Sequence, residues 1–155
     1  MEIRKATLDD VPAIKRCVDA CAGPLYYTAD TDERWLYDNL ADNGVCYVAV
    51  DKNLVLGYCV LIYRDRVWDT ASKLGMSGIN QMETMGVNTF FRKGGIAKQL
   101  MSRCCECITT KKTLATVHPD NIGSKKVLEF CGFKHFQTTK LYEGQPREIW
   151  IKIKD

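Results

Sequence analysis

Val87-Asn88-Thr89-Phe90-Phe91-Arg92-Lys93-Gly94-Gly95-Ile96-Ala97-Lys98-Gln99-Leu100 is the stretch that decides the reading of this chain. It follows a strand-like run, Ile79 to Val87, and opens a helix-like run through Met101, Cys104 and Ile108. A turn of this kind leaves the first backbone N–H groups of the helix without intrahelical acceptors, all pointing one way. Those donors, the positive end of the helix dipole and the cations Arg92 and Lys93 together suit a phosphate or pyrophosphate. Gly94 and Gly95 carry no side chain, so an anion can come close to the main chain. Taken alone, the two glycines read equally as an ordinary tight turn between a strand and a helix.

Two familiar phosphate motifs are absent here. No Gly-Lys-Ser/Thr follows four residues after a glycine, and Gly-x-Gly-x-x-Gly does not occur. Instead, Arg92-Lys93-Gly94-Gly95-Ile96-Ala97 resembles Arg/Gln-x-x-Gly-x-Gly/Ala, the acyl-CoA pyrophosphate loop of the GNAT superfamily of N-acetyltransferases. Val87 stands where that family ends its fourth strand, and Leu100 where the next helix packs its first large apolar residue. A second resemblance lies downstream, where Asn121 to Ser124 and then Gly132-Phe133 match the family's Asn-x-x-Ala/Ser helix followed by Gly-Phe. Two ordered motifs are far more specific than either one, and together they cover about a third of the chain.

Composition sets the outer bounds. A chain of 155 residues can bury roughly 70% of its unfolded surface, and residues 1–155 read as a single domain. Hydrophobic residues at 46% and charged residues at 26% are those of a globular protein. No apolar run reaches the ~20 residues of a membrane span, and Met1 to Thr7 hold no apolar signal core, which predicts a cytoplasmic protein. The net charge of +3 suits anionic ligands weakly, and the dispersed lysines and arginines argue against nucleic acid. Eight cysteines read as reduced, small apolar fillers. Cys104-x-x-Cys107 has no second pair at zinc-like spacing, and the histidines are only His118 and His135, so no metal is expected.

In order, Glu2 to Ala6 reads as a strand and Asp9 to Cys21 as a helix, with apolar residues at Val11, Ile14, Val18 and Cys21. The aromatic tract Leu25 to Ala29 connects to a second helix capped by Asp30 or Thr31. Val45–Val50 and Leu54–Tyr63 form a hairpin, with Gly57 marking a bulge or a close backbone approach. Residues 64–78 make a long connection. Ile79, Gln81, Glu83, Met85 and Val87 then alternate onto one strand face. The helix after the glycines runs to about Thr110, followed by a short strand Leu114–Val117 and a helix capped by Asp120 or Asn121 and closed by Gly132. Lys134–Tyr142 and Arg147–Lys154 make a final hairpin. The resemblance implies an α/β (α+β) GNAT fold: a central mixed, splayed sheet of about seven strands flanked by about four helices.

It also implies a chemistry. In that family the sheet splays between its fourth and fifth strands, and acetyl-CoA lies in the gap as co-substrate, facing an amine acceptor. By resemblance, Arg92, Lys93, Gly94, Gly95, Ile96 and Ala97 hold the pyrophosphate, while Met85 and Val87 pair by main chain with the pantetheine arm. Asn121 and Ser124 meet the pantetheine end from the following helix, and Asn121 equally serves as a cap. Glu83 is the leading candidate for the base that deprotonates the amine, with His118 the second; each reads equally as a structural or surface residue. Many relatives carry a proton-donating tyrosine seven residues after the motif asparagine, where this chain has Leu128. The expected activity is acetyl transfer to a primary amine of a small molecule or peptide. The alternative is a non-catalytic module that binds acyl-CoA. Homodimers are common in the family, and nothing in this sequence specifies an interface.

Overall fold

The computed structural model describes residues 1–21, 31–65, 70–88, 95–141 and 144–155. The elements are β1 (Glu2–Lys5), α1 (Val11–Cys21), α2 (Glu33–Asp42), β2 (Gly44–Asp51), β3 (Leu54–Ile62), α3 (Thr70–Lys73), β4 (Asn80–Val87), α4 (Ile96–Cys105), β5 (Lys112–Val117), α5 (Ile122–Phe130), β6 (Lys134–Leu141) and β7 (Gln145–Ile153). Seven strands form one mixed sheet in the order β1-β2-β3-β4-β5-β7-β6. Neighbouring strands run antiparallel except for β4 and β5, which are parallel.

Local sequence explains most boundaries. Thr7 and Asp10 close a capping box around a 3-10 turn, Leu8–Asp10, so the first α-helix starts at Val11 instead of the expected Asp9. Asp32, and not the expected Asp30 or Thr31, caps α2 by accepting the Trp35 amide at 2.8 Å. The long connection before β4 contains a one-turn helix, α3, which brings the α-helices among the described residues to five. Gly132 has φ +89°, the left-handed conformation expected after α5.

The central strands β2 and β3 are buried on both faces, which is why they read as continuous apolar runs. Val45, Tyr47 and Ala49 face α4, while Cys46 and Val48 join Val11, Ile14, Val18 and Leu36 beneath α1 and α2. In β3 the alternation stumbles at Leu56, where the register against β2 shifts. Gly57 follows that bulge, and a Cβ there would lie 3.1 Å from Leu100 Cδ1 and 3.2 Å from Gly86 O. Both readings of Gly57 hold: a bulge, and a close approach of the helix after the glycine turn.

A second register shift falls in β4, and it corrects the expected face. Val60 pairs with Thr84 but Leu61 pairs with Met82, so Glu83 is the extra residue of a bulge. Met82, Met85 and Val87 therefore pack toward the α4 side. Thr84 faces the other way, 3.4 Å from the Tyr58 hydroxyl, and Gly86 also backs onto the Tyr58 ring. Gln81 sits across from Ile62 and does not share a face with Met85 and Val87.

The start of β4 is clamped. Asn80 is 1% exposed. Its Nδ2 donates to Tyr63 O and Thr109 Oγ1, each at 3.1 Å, and its Oδ1 accepts the Thr109 amide at 2.7 Å. Its own amide donates to Thr110 Oγ1 at 3.0 Å. One buried amide thus binds the end of β3, the start of β4 and the turn leading to β5. Asn80→Leu keeps the volume but leaves the Thr109 N–H and Tyr63 C=O without these partners, and is expected to cost about 2–4 kcal/mol in a denaturant titration.

Candidate functional site

The site is a gap in the sheet. β4 and β5 pair through only three rungs, Asn80↔Thr113, Gln81↔Leu114 and Met82↔Ala115. Beyond them β4 continues to Val87 against β3, and β5 continues to Val117 against β7. Residues 84–87 of β4 and 116–117 of β5 therefore form two arms that, among the described residues, share no ladder. Glu83 stands at the fork, half-buried, immediately after the last rung. A strand arm without a neighbour on that side presents main-chain groups to whatever enters the gap.

The N-terminus of α4 opens beside the end of β4. Gly95 is its N-cap, with φ +72° and no side-chain cap bond. A side chain would be strained by that φ, although a Cβ there would meet nothing within 4 Å. The first ladder bond of the helix runs from Gln99 N to Gly95 O at 3.2 Å. The amides of Ile96, Ala97 and Lys98 precede it, so they lack intrahelical acceptors. Ile96 is buried and Ala97 half-buried. The helix is held rigidly, because Leu100, Met101 and Cys104 are buried in the core shared with β2 and β3. Arg92, Lys93 and Gly94 lie outside the described residues, as do the aromatic tract Leu25–Ala29, Trp68 and Tyr142.

From the other arm, β5 leads into α5. Asn121 is 6% exposed and caps α5, its Oδ1 accepting the Ser124 amide at 3.1 Å. That bond uses Oδ1, while Nδ2 makes no hydrogen bond to the described residues. The half-buried Ser124 contributes its amide to this cap. One turn on, Lys125 Nζ reaches Glu148 Oε2 at 3.2 Å, and Trp150 Nε1 donates to Glu148 Oε1 at 3.0 Å. These bonds fix the first turn of α5 to β7.

His118 sits just past the end of β5, with its side chain 17% exposed. Its Nδ1 accepts the Asp120 amide at 3.0 Å. In the neutral ring the proton must then be on Nε2, so His118 offers the site a donor, not a lone pair. Glu83 and His118 stand on opposite arms of the gap.

Leu128 is 3% exposed and packs in the α4-side core with Val127 and Phe133. It has no proton to give. Thr113 was not singled out in the sequence, and Gln81 only as a polar interruption of the strand face: Gln81 Oε1 and Thr113 Oγ1 are buried with no hydrogen-bond partner among the described residues, on the two rungs that precede the last one. No composition or period marks such a site, because it exists only once two distant strands pair. Among the described residues no cluster of His, Cys, Asp and Glu could hold a metal, and no helix is long and apolar enough to cross a membrane.

The family comparison gives one match. A sequence model described as the acetyltransferase (GNAT) family matches residues 12–133, more than three quarters of the chain. No curated protein sequence matches. Among solved structures, a ribosomal-protein-alanine N-acetyltransferase from Brucella melitensis superposes with TM-score 0.75 at 20% identity, covering 99% of this chain and 100% of its own. An acetyltransferase of the GNAT family from Bacillus cereus gives TM-score 0.74 at 19% identity, covering 99% and 97%. The protein yncA from Salmonella typhimurium, in a structure with its cofactor acetyl-CoA, gives TM-score 0.75 at 18% identity, covering 100% and 94%. At these identities the structural likeness establishes the fold.

The cap geometry has its own test. Asn121→Ala removes the acceptor for the Ser124 amide and should cost about 1 kcal/mol in thermal or chemical unfolding. Asn121→Asp keeps the acceptor and should hold that stability while removing the Nδ2 donor. Separating the two variants separates capping from any ligand contact.

Proposed function

The chain belongs to the acetyltransferase (GNAT) family, and we propose that it transfers the acetyl group of acetyl-CoA to a primary amine of a small molecule or peptide. Acetyl transfer is the family's reaction and acetyl-CoA its co-substrate. The observation that carries the residue-level reading is the fork after Met82 and Ala115, with a helix N-terminus beside one arm and a capped helix beside the other.

The parts fit a long, amide-bearing thioester. The amides of Ile96, Ala97 and Lys98, which lack intrahelical acceptors, suit the pyrophosphate, joined in this proposal by Arg92, Lys93, Gly94 and Gly95 from the preceding loop. The main chain of Met85 and Val87 forms the wall along which the pantetheine arm lies. Asn121 offers Nδ2 to the inner end of that arm, with Ser124 one turn along. The reacting carbonyl then falls near the fork, where Glu83 stands.

At neutral pH an ordinary primary amine is mostly protonated and cannot attack. Glu83 is the proposed base. It takes a proton from the ammonium, the freed nitrogen bonds to the carbonyl carbon, and the carbon–sulfur bond breaks. The departing thiolate takes up, through water, the second proton that the nitrogen gives up as the amide forms. The neutral His118 ring on the other arm offers its Nε2–H as a hydrogen-bond donor without losing it. Leu128 rules out the residue that many relatives use for this step.

Thermal stability with saturating acetyl-CoA, with CoA and with ATP tests the binding half. A ligand at a hundred times its dissociation constant adds about 2.7 kcal/mol to the native state. A shift with both CoA species is expected, and Gly95→Val should abolish it by straining the turn. Glu83→Gln should keep that shift while lowering kcat by about 10²- to 10⁴-fold and removing the acidic limb of the pH–rate profile. Leu128 favours a second reading, a binding module without turnover. A CoA shift with no transfer across a broad amine panel would establish that reading instead.

A further inference from the structure

The sheet is covered unequally at its β5–β7–β6 end. Gln81 pairs with both Ile62 and Leu114, so Leu114 lies on the face that α1 and α2 cover over β2 and β3. Around Leu114 and Ile149 the described cover of that face is thin. It consists of Ala71 of α3 with Leu74, Met76 and Ile79 of the connection that follows. This cover stops short of the sheet edge, where Phe136 and Ile153 stay 60% and 56% exposed. A cavity of about 610 Å³ lies there, between the strands, Leu74 and Met76, and the turn at Gly132.

The strand register shows how its walls are built. Across β5 and β7, Lys112 pairs with Ile153 and Leu114 with Ile151, and Lys134 of β6 pairs with Ile151 from the other side. Residues directly opposite one another, and residues two apart on one strand, share a face. Ile151 and Ile153 therefore make an apolar floor with a lysine on each side, one from β5 and one from β6. Phe136 is the extra residue of a bulge, because His135 pairs with Trp150 and Gln137 with Ile149. The bulge takes its ring out of the regular alternation and into the cavity wall.

The charge of this wall is one-sided. Lys112 and Lys134 are exposed, and neither forms an ion pair with a described residue. Lys152 alternates to the opposite face, and its ammonium donates to the Cys131 carbonyl at 2.7 Å. Asp155 is the one carboxylate among the lining residues. Two unpaired ammonium groups thus flank an apolar floor that water covers at a cost.

We propose that this cavity binds a small organic acid with an apolar chain, its carboxylate between Lys112 and Lys134 and its chain over Ile151 and Ile153. The volume is that of a small-molecule site, and apolar walls with a few placed charges are the usual make-up of one. The two lysines fix the sign of the ligand, and the isoleucines with Met76 and Phe136 require the chain. A concave site walled on three sides suits a single molecule and not a flat lipid surface. Lys112 opens β5, whereas the gap in the sheet begins beyond Ala115, so the ligand occupies neither arm of the gap. The site is independent of the transfer reaction.

Octanoate is the probe, titrated into the full chain and followed by amide NMR shifts. Saturable shifts are expected at Lys112, Lys134, Ile151 and Ile153, unchanged by saturating CoA. Hexanoate should bind roughly 10-fold more weakly, octan-1-ol more weakly than octanoate, and acetate not measurably. Lys112→Gln and Lys134→Gln should each weaken octanoate by about 2- to 5-fold, and Ile153→Ser by roughly 10-fold. These side chains are exposed, and the amide spectra show directly that each variant is folded. Octan-1-ol binding as tightly as octanoate, shifts centred on the arms of the gap, or no saturable shift at millimolar octanoate would each overturn the proposal. So would co-sedimentation with anionic phospholipid vesicles that Lys112→Gln and Lys134→Gln abolish while octanoate fails to saturate.

Discussion

The three-rung pairing of β4 with β5 is the constraint on which the rest depends. Parallel strands normally extend their ladder as far as both can reach. Here the ladder stops after Met82 and Ala115, and the bulge at Glu83 sits directly at the stop. A bulge bends its strand and increases the local twist, which carries the rest of β4 along β3 and away from β5. On the other side β5 keeps a full six-rung register with β7, from Lys112↔Ile153 to Val117↔Glu148, so it cannot follow. Each strand is committed to its outer neighbour, and the gap is the consequence.

Keeping such a gap open requires the closed end to be rigid. The Asn80 clamp provides this, since a single buried amide binds β3, β4 and the approach to β5. Both open arms are stiffened from outside. Leu100 presses α4 onto the bulged region of β3 through the space that Gly57 leaves, and the Lys125–Glu148–Trp150 bonds hold α5 against β7. The helix N-termini beside the gap are thus placed by packing far from the gap itself. Preorganisation of this kind lets a cofactor bind without ordering the site first.

The electrostatic side of the site follows from the same scaffold. The amides of Ile96 to Lys98 lack intrahelical acceptors because they open a helix, and Gly95 caps that helix in a left-handed conformation. His118 has its tautomer set by the backbone of Asp120 two residues later. Glu83 stands at the fork because it is the surplus residue of the bulge, and not because it continues an alternating face. The place proposed for it in the chemistry is therefore tied to a backbone irregularity.

Much of this could be read before any coordinates. The order of strands and helices follows from apolar spacing, and the Arg92 to Ala97 and Asn121 to Ser124 segments pointed to the family through local residue identity alone. Caps and turns such as Asn121 and Gly132 were legible because their physics is local. What only the tertiary structure decided was everything set by partners distant in sequence. Which residue of β4 is surplus depends on the register against β3, so the expected face of Gln81, Glu83, Met85 and Val87 was broken where a period of two has no way to signal a shift. Asn80 looks like any polar residue at a strand start until Tyr63 and Thr109 close around it. Sequence periodicity records which side of an element is apolar; register, closure and the meeting of distant side chains arise only when the elements pack together.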